Sequence, residues 1–299
     1  MKEAIEKAAI LVEALPYIRS FHDTVIVVKY GGSTIDDDAL HKVLLSVAFM
    51  SQVGMRPVLV HGGGRFITQA LEQEGIESRF VHGQRVTDAR TLPVVESVLV
   101  DRVNRKLVET ILEFGSRAVS LTSRAARCVR AERMILSDPA GRAPDLGFVG
   151  RATGADAEAI LAATEDHTVP VIAPLATGPA GETLNCNADS VAAVVAGDLA
   201  AEKLVLLTDV PGILIPGPDG EPRLVPTATE PEVERWIAAG HIAGGMLPKV
   251  RACLEALAAG VRKAHIIDGS IPHALLLEIF TNEGIGTQIL GGPRAGGPE

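Results

Sequence analysis

The stretch Val25-Ile26-Val27-Val28-Lys29-Tyr30-Gly31-Gly32-Ser33-Thr34 decides how the chain is read. Its first four residues are β-branched and apolar with no polar alternation, the pattern of a strand buried on both faces. The run stops at a lysine followed closely by two glycines. An unpartnered ammonium is costly to bury. Lys29 therefore either snorkels at the strand end or points at something negative.

Working outward, the texture repeats. Residues 56–64, "RPVLVHGGG", read as a second buried strand ending in glycines. Helical patterns cover about 37–53 and 65–74, and one or two more end at Gly115. Three strand-like pieces follow, "RAVSLT", "CVRAERMI" and "DLGFVGRAT", read as hairpins rather than crossovers. A helix over 155–166 and a strand over 168–176 come next. Residues 181–214 read as loop, helix, strand and loop, and Thr229 is a candidate cap for the helix after it. A glycine-introduced helix from Gly244, the strand "KAHIID", a helix around 272–280 and a last strand "GTQIL" complete the chain. Alternation of this kind predicts an α/β fold, a three-layer αβα sandwich with a largely parallel central sheet. No repeat or linker interrupts it, and the expected lobe boundary falls near residues 190–200, inside one continuous sheet.

Composition narrows the classes. The 299 residues carry a net charge of −9 and 47% hydrophobic residues, with only 3% aromatics, so the core is built from Val, Leu, Ile and Ala. Without a basic block, an acidic chain is expected to bind no nucleic acid. Cys128, Cys186 and Cys253 lie far apart, with neither metal-ligand nor disulfide-framework spacing, which predicts a reducing cytoplasm and no protein-bound metal cluster. Residues 1–20 read as an amphipathic helix, with Ile5, Ala9, Val12 and Leu15 at helical spacing and glutamates that break any signal-peptide core. No run of about 18 apolar residues exists to span a membrane. The Gly/Pro tail 291–299 is expected to be disordered.

In open parallel sheets, ligands bind beyond the carboxyl ends of the strands. Four strand ends carry unusual residues: Lys29–Ser33, His61–Gly64, Asn185–Asp189 and Thr208–Gly212. A fifth element, Gly244–Val250, opens a helix and carries Lys249. Glycine turns into helices suit anions, because backbone N–H groups approach closely and the helix N-terminus adds positive potential. No G-x-x-x-x-G-K-[ST] loop is present, and "GIGTQILGG" opens a strand rather than a helix. Residue by residue, other readings stay open. Lys249 could be a surface lysine, Asp189 a helix cap, Arg85 a partner of Asp88, His61 a satisfied strand-end histidine and Cys186 a small filler.

Taken in order, "VKYGG", "VHGGG", "RVTD", "ETLNCNADSVA", "LVLLTDVPGIL" and "GGMLPKV" resemble the amino acid kinase superfamily, and more narrowly its N-acetylglutamate kinases. "VEALPYIRSF" and "HIIDGSIPHALLLEIFTNEGIGTQI" resemble the arginine-sensitive branch. The resemblance implies phosphoryl transfer from ATP to the side-chain carboxylate of N-acetyl-L-glutamate, a step of arginine biosynthesis, with Mg2+ held mainly by the phosphates. It implies that Lys29 and Lys249 flank the transferring group, with Asp189 between them. Gly63, Gly64, Arg85 and Asn185 match the acyl amino acid site. Gly31, Gly32, Thr208, Asp209, Gly212, Ile213, Leu214, Gly244 and Met246 match the nucleotide site, and His265, Glu278 and Gly284 match an arginine-inhibitor site. It further implies residues 1–20 as an oligomerisation helix building a dimer or hexamer, 21–195 as the acyl amino acid and dimerisation lobe, and 196–299 as the nucleotide lobe. Ser33 stands where relatives have Asn, and residues 120–127 replace a glycine-rich turn. These departures keep open a sister kinase for acetylaminoadipate, glutamate or carbamate. From another class comes a non-catalytic arginine-binding regulator.

Overall fold

The computed structural model describes residues 1–31, 37–122, 127–136, 144–281 and 284–291. Gly32, Ser33, part of the 120–127 segment and all but the first residue of the tail fall outside them. Eight strands form one sheet: β1 (Val25–Tyr30), β2 (Arg56–His61), β3 (Arg117–Leu121), β4 (Thr168–Ile172), β5 (Lys203–Thr208), β6 (Thr227–Thr229), β7 (Lys263–Asp268) and β8 (Thr287–Leu290). Their spatial order is β6-β8-β7-β5-β1-β2-β4-β3. The run from β7 to β3 is parallel throughout, and β8 reverses against β7. β1 sits centrally, so the opening apolar run is buried from both sides. Val27 packs into one core, Ile26 and Val28 into the other.

On one face lie α4 (Ala188–Asp198) and α5 (Met246–Ala258). On the other lie α2 (Asp37–Gln52), α6 (Ala274–Phe280) and a helical rod over 91–113 whose middle, Ser97–Asn104, widens to π-type turns. The helix α3 (Gly64–Gln73) leads away from β2. α1 (Lys2–Phe21) docks by its end, where Tyr17 meets Phe280 edge to face at 6.3 Å. Ile5 and Val12 remain 61% and 69% exposed.

The middle of the chain corrects one expectation. Val129–Arg133 and Val149–Ala155 do pair antiparallel, and close with Leu175–Thr177 and Thr183–Cys186 into a small four-stranded ring. Arg117–Leu121, however, is a crossover strand, parallel to β4 at the sheet edge. Its half-buried residues lack the continuous apolar run of the central strands, which is why it reads as a hairpin arm. Among the described residues, no helix is long and apolar enough to cross a membrane.

Candidate active site

The end of β1 meets the beginnings of α4 and α5. Lys29 Nζ lies 2.7 Å from Asp189 Oδ1, and Lys249 Nζ donates to Asp189 Oδ2 at 3.1 Å. All three side chains are buried or nearly so. The helix cap is Asn187, whose Oδ1 accepts from the N–H groups of Asp189 and Ser190 at 2.8 and 3.2 Å. Capping therefore does not engage the Asp189 carboxylate, which sits in the first turn where the helix favours an anion. Burial opposes its charge, but the Lys29 and Lys249 ammonium groups outweigh burial and hold the carboxyl below its usual range. Burial pulls the Lys29 ammonium down from its ordinary value, with Asp189 as the chief opposing influence. Two cations thus share the Asp189 carboxylate, and the Asp209 charge also acts on Lys29.

The Lys29 side chain folds back over Gly31. A Cβ there would sit 2.5 Å from the Nζ. Beside it, the N–H of Gly62 donates to Tyr30 O at 2.8 Å, tying the two glycine turns together. Gly63 precedes α3, and a Cβ on it would meet Leu99 at 2.5 Å, while Gly64 opens the helix. His61 is fully buried, with Nδ1 2.9 Å from Gly62 O and Nε2 3.1 Å from Asn104 Nδ2. A carbonyl only accepts, so Nδ1 carries the proton and Nε2 accepts from Asn104. Burial pushes its pKa down to about 4 and keeps it neutral. His61 is thus a satisfied strand-end histidine.

Two adjoining cavities, about 800 and 200 Å³, share Gly62–Gly64, Phe80 and Arg85. Lys29 opens into the larger, Asn185 into the smaller. Arg85 is buried, and its guanidinium donates to Gly64 O at 3.0 Å, to Thr68 Oγ1 at 2.8 Å and to Ser78 Oγ. It also stacks on Phe80, 4.6 Å from the ring centroid. None of these partners is a carboxylate. Asp88 is used elsewhere, accepting from the N–H groups of Arg90 and Thr91. Buried cations are normally paired with anions, whereas Arg85 is held here by neutral acceptors. The supporting Thr68 and Ser78 have no sequence signal of their own.

Thr208 ends β5 beside β1. Its hydroxyl donates to Asp209 at 3.2 Å. Gly212 needs its φ of 144°, and the N–H of Ile213 donates to Thr287 Oγ1 at 2.8 Å. Leu214 is exposed. Gly244, with φ of 54°, precedes Met246 at the start of α5. None of these residues lines either of the two cavities around Arg85. The three cysteines are buried thiols, each with its pKa pushed up by burial. Among the described residues, no group of three or more His, Cys, Asp or Glu is placed to hold a metal.

A separate cavity of about 740 Å³ lies between α1 and the β5–β7–β8 region, lined by Tyr17, Phe21, Lys203, Glu278 and Gly284. Glu278 Oε1 is 2.7 Å from His265 Nδ1 and 3.9 Å from Lys203 Nζ, and Oε2 accepts from the Ile285 N–H. Burial opposes the Glu278 charge, but these partners lower its pKa. His265 is buried behind Glu278, rather than on the wall. Lys203 was not anticipated from the sequence.

The amino acid kinase family profile matches residues 24–268, and the chain belongs to that family. Within it, the chain falls among the acetylglutamate kinases. That of Symbiobacterium thermophilum is 46% identical over 291 residues, covering 97% of this chain and 99% of the relative. Among solved structures, N-acetylglutamate synthase from Neisseria gonorrhoeae, complexed with coenzyme A and N-acetyl-glutamate, superposes with a TM-score of 0.81 at 28% identity. That match covers 96% of this chain and 64% of the synthase. The same synthase complexed with coenzyme A and L-arginine gives a TM-score of 0.75 at 27% identity, covering 95% and 65%.

Proposed function

We infer that this protein transfers the γ-phosphoryl group of ATP to the side-chain carboxylate of N-acetyl-L-glutamate, in arginine biosynthesis. The observation that supports this reading is the Lys29–Asp189–Lys249 cluster, whose Lys29 opens into the cavity that Arg85 also lines. The acceptor is already an anionic nucleophile, so no general base is required. A carboxylate oxygen bonds to the γ-phosphorus as the bond to the bridging oxygen breaks, and ADP leaves with that electron pair. The difficulty is bringing two anions together, so positioning and charge neutralisation do most of the catalysis. Lys29 and Lys249 neutralise the transferring group, and Asp189 orients both. Backbone donors of Gly31 and Gly63–Gly64 serve the phosphates and the acceptor. The 21–195 part then holds the acyl amino acid, and 196–299 holds the nucleotide through Thr208–Leu214 and Gly244–Met246. Mg2+ fits as a cation carried by the phosphates, because the Asp189 carboxylate is committed to lysines. A coupled assay with ATP and a panel of N-acetylglutamate, acetylaminoadipate, glutamate and carbamate tests the reading. A better substrate than N-acetylglutamate overturns it.

Arg85 holds the substrate α-carboxylate. A guanidinium fork and an ammonium are not interchangeable at a carboxylate. Arg85→Lys is expected to raise the KM for N-acetylglutamate by roughly tenfold or more while leaving that for ATP nearly unchanged. Equal losses for both ligands would rule this role out.

The α1 cavity supports a regulatory reading. Its Glu278, backed by His265 and beside Gly284, suits a guanidinium, and the Neisseria synthase was solved with L-arginine. The apolar residues of α1 left exposed suit contact with a second copy. Arginine inhibition in a hexamer built through α1 is the expected behaviour, and removing residues 1–20 is expected to give dimers that arginine no longer inhibits. Sedimentation and activity at rising arginine check both. An intact dimer, or a truncated protein still inhibited, refutes the linkage. The loop after Leu214, residues 215–222, carries no lysine where the family has one, which lowers the expected arginine affinity.

A further inference from the structure

We propose that Thr87 is the positioning residue that sets the two groups reading the acyl amino acid, Asn185 and Arg85. The proposal rests on the site assignment above. Thr87 is fully buried and lies two residues after Arg85. Its Oγ1 is 2.9 Å from Arg85 O and 3.1 Å from Asn185 Nδ2. The hydroxyl has a single proton, and the carbonyl of Arg85 can only accept. That proton therefore goes to Arg85 O, and a lone pair of Oγ1 accepts from the Asn185 amide.

The consequence is directional. An asparagine amide is free to turn either of its two ends toward a ligand. Here the NH2 end is held against Thr87, so the carbonyl end of Asn185 is the one presented to the small cavity. An acceptor at that place selects a ligand that donates a hydrogen bond, such as an amide N–H. The same hydroxyl ties down the backbone that carries the Arg85 guanidinium.

The rest of Thr87 is equally engaged. Its N–H donates to Leu146 O at 2.9 Å, and its O accepts from the Phe148 N–H at 2.7 Å. Gly147, between those residues, has φ of 73°, and a Cβ on it would sit 2.3 Å from Thr87 O. The N–H of Asn185 in turn donates to Phe148 O at 2.8 Å. One residue thus joins the Arg85 backbone, the 146–148 turn and the strand Thr183–Cys186 that carries Asn185. Packing alone would be met by valine, which has the same shape. The hydroxyl is what makes the linkage.

Thr87→Val keeps the shape and removes the hydroxyl. Breaking a buried hydrogen bond of this kind is expected to raise the KM for N-acetylglutamate on the order of tenfold, with the KM for ATP unchanged. Thr87→Ser keeps the hydroxyl and is expected to restore most of that loss. In a double-mutant cycle, Thr87→Val adds less to the KM effect of Asn185→Ala than it costs alone, because part of its effect passes through that amide. Should Thr87→Val fail to fold, Thr87→Ala takes its place in the cycle. Additive effects, equal losses for both substrates, or a serine variant as impaired as the valine variant would each overturn the proposal. If Arg85→Lys and Asn185→Ala leave the KM for N-acetylglutamate untouched, it is the site assignment that fails. If they raise it and Thr87→Val does not, only the role of Thr87 fails.

Discussion

Lys29→Ala and Lys249→Ala are each expected to lower kcat by roughly 10²–10³, the usual loss when one pre-organised charge stabiliser is removed. Both ammonium groups converge on one carboxylate from opposite oxygens, at 2.7 and 3.1 Å. A phosphoryl group between them would be neutralised from two sides. Because they act on the same developing charge, the double variant is expected to lose less than the product of the single losses. The structural effects should differ. The Lys29 side chain is 7% exposed and that of Lys249 19% exposed, so deleting Lys29 removes the more deeply buried partner and destabilises more. Turnover and thermal melting of both variants check this, and near-normal kcat in either would end its assigned role.

Asp189→Asn is expected to be the more damaging change to the fold. Removing one partner of a buried ion pair costs about 3–5 kcal/mol, because the remaining charges stay buried without compensation. Two ammonium groups would then face each other. Burial already lowers the Lys29 pKa and Asp189 is the main influence raising it. Its loss makes Lys29 shed its proton at lower pH, so the basic limb of the activity profile should move to lower pH. Acid stability carries the complementary sign. The Asp189 carboxyl is held below its ordinary value of 3.8. Its stabilisation is fully present above that value and is lost as pH falls through the lower, folded value. The wild-type melting temperature should therefore fall with acidification below about pH 4, and the variant should lack that component. An unshifted basic limb together with an unchanged melting temperature would show that Asp189 does not hold the lysines.

The central strands were legible because burial on two faces leaves continuous Val, Ile and Leu, as in 25–28 and 204–207. Strand 117–121 was misread because an edge strand is half-buried and its neighbour, 168–172, follows some 50 residues later. The lysines and Asp189 were visible as charges at strand and helix ends, where charge needs a reason. Asp189 could also be read as a cap, since local pattern does not tell which of Asn187 and Asp189 bonds the helix. The layer supporting Arg85 could not be read. Ser78, Thr68 and Thr87 are ordinary polar residues whose role appears only when three separate segments meet. Lys203 was hidden for the same reason, as one more residue at the start of an apolar strand.

The fold of Lys29 back over Gly31 has a consequence for anyone transplanting this loop. A Cβ at position 31 would sit 2.5 Å from the ammonium, and because that end of the lysine is flexible it would yield by swinging aside. The glycine therefore protects the reach of the lysine to Asp189 rather than the strand itself. A transplanted loop needs the lysine, the glycine and the carboxylate that receives the ammonium.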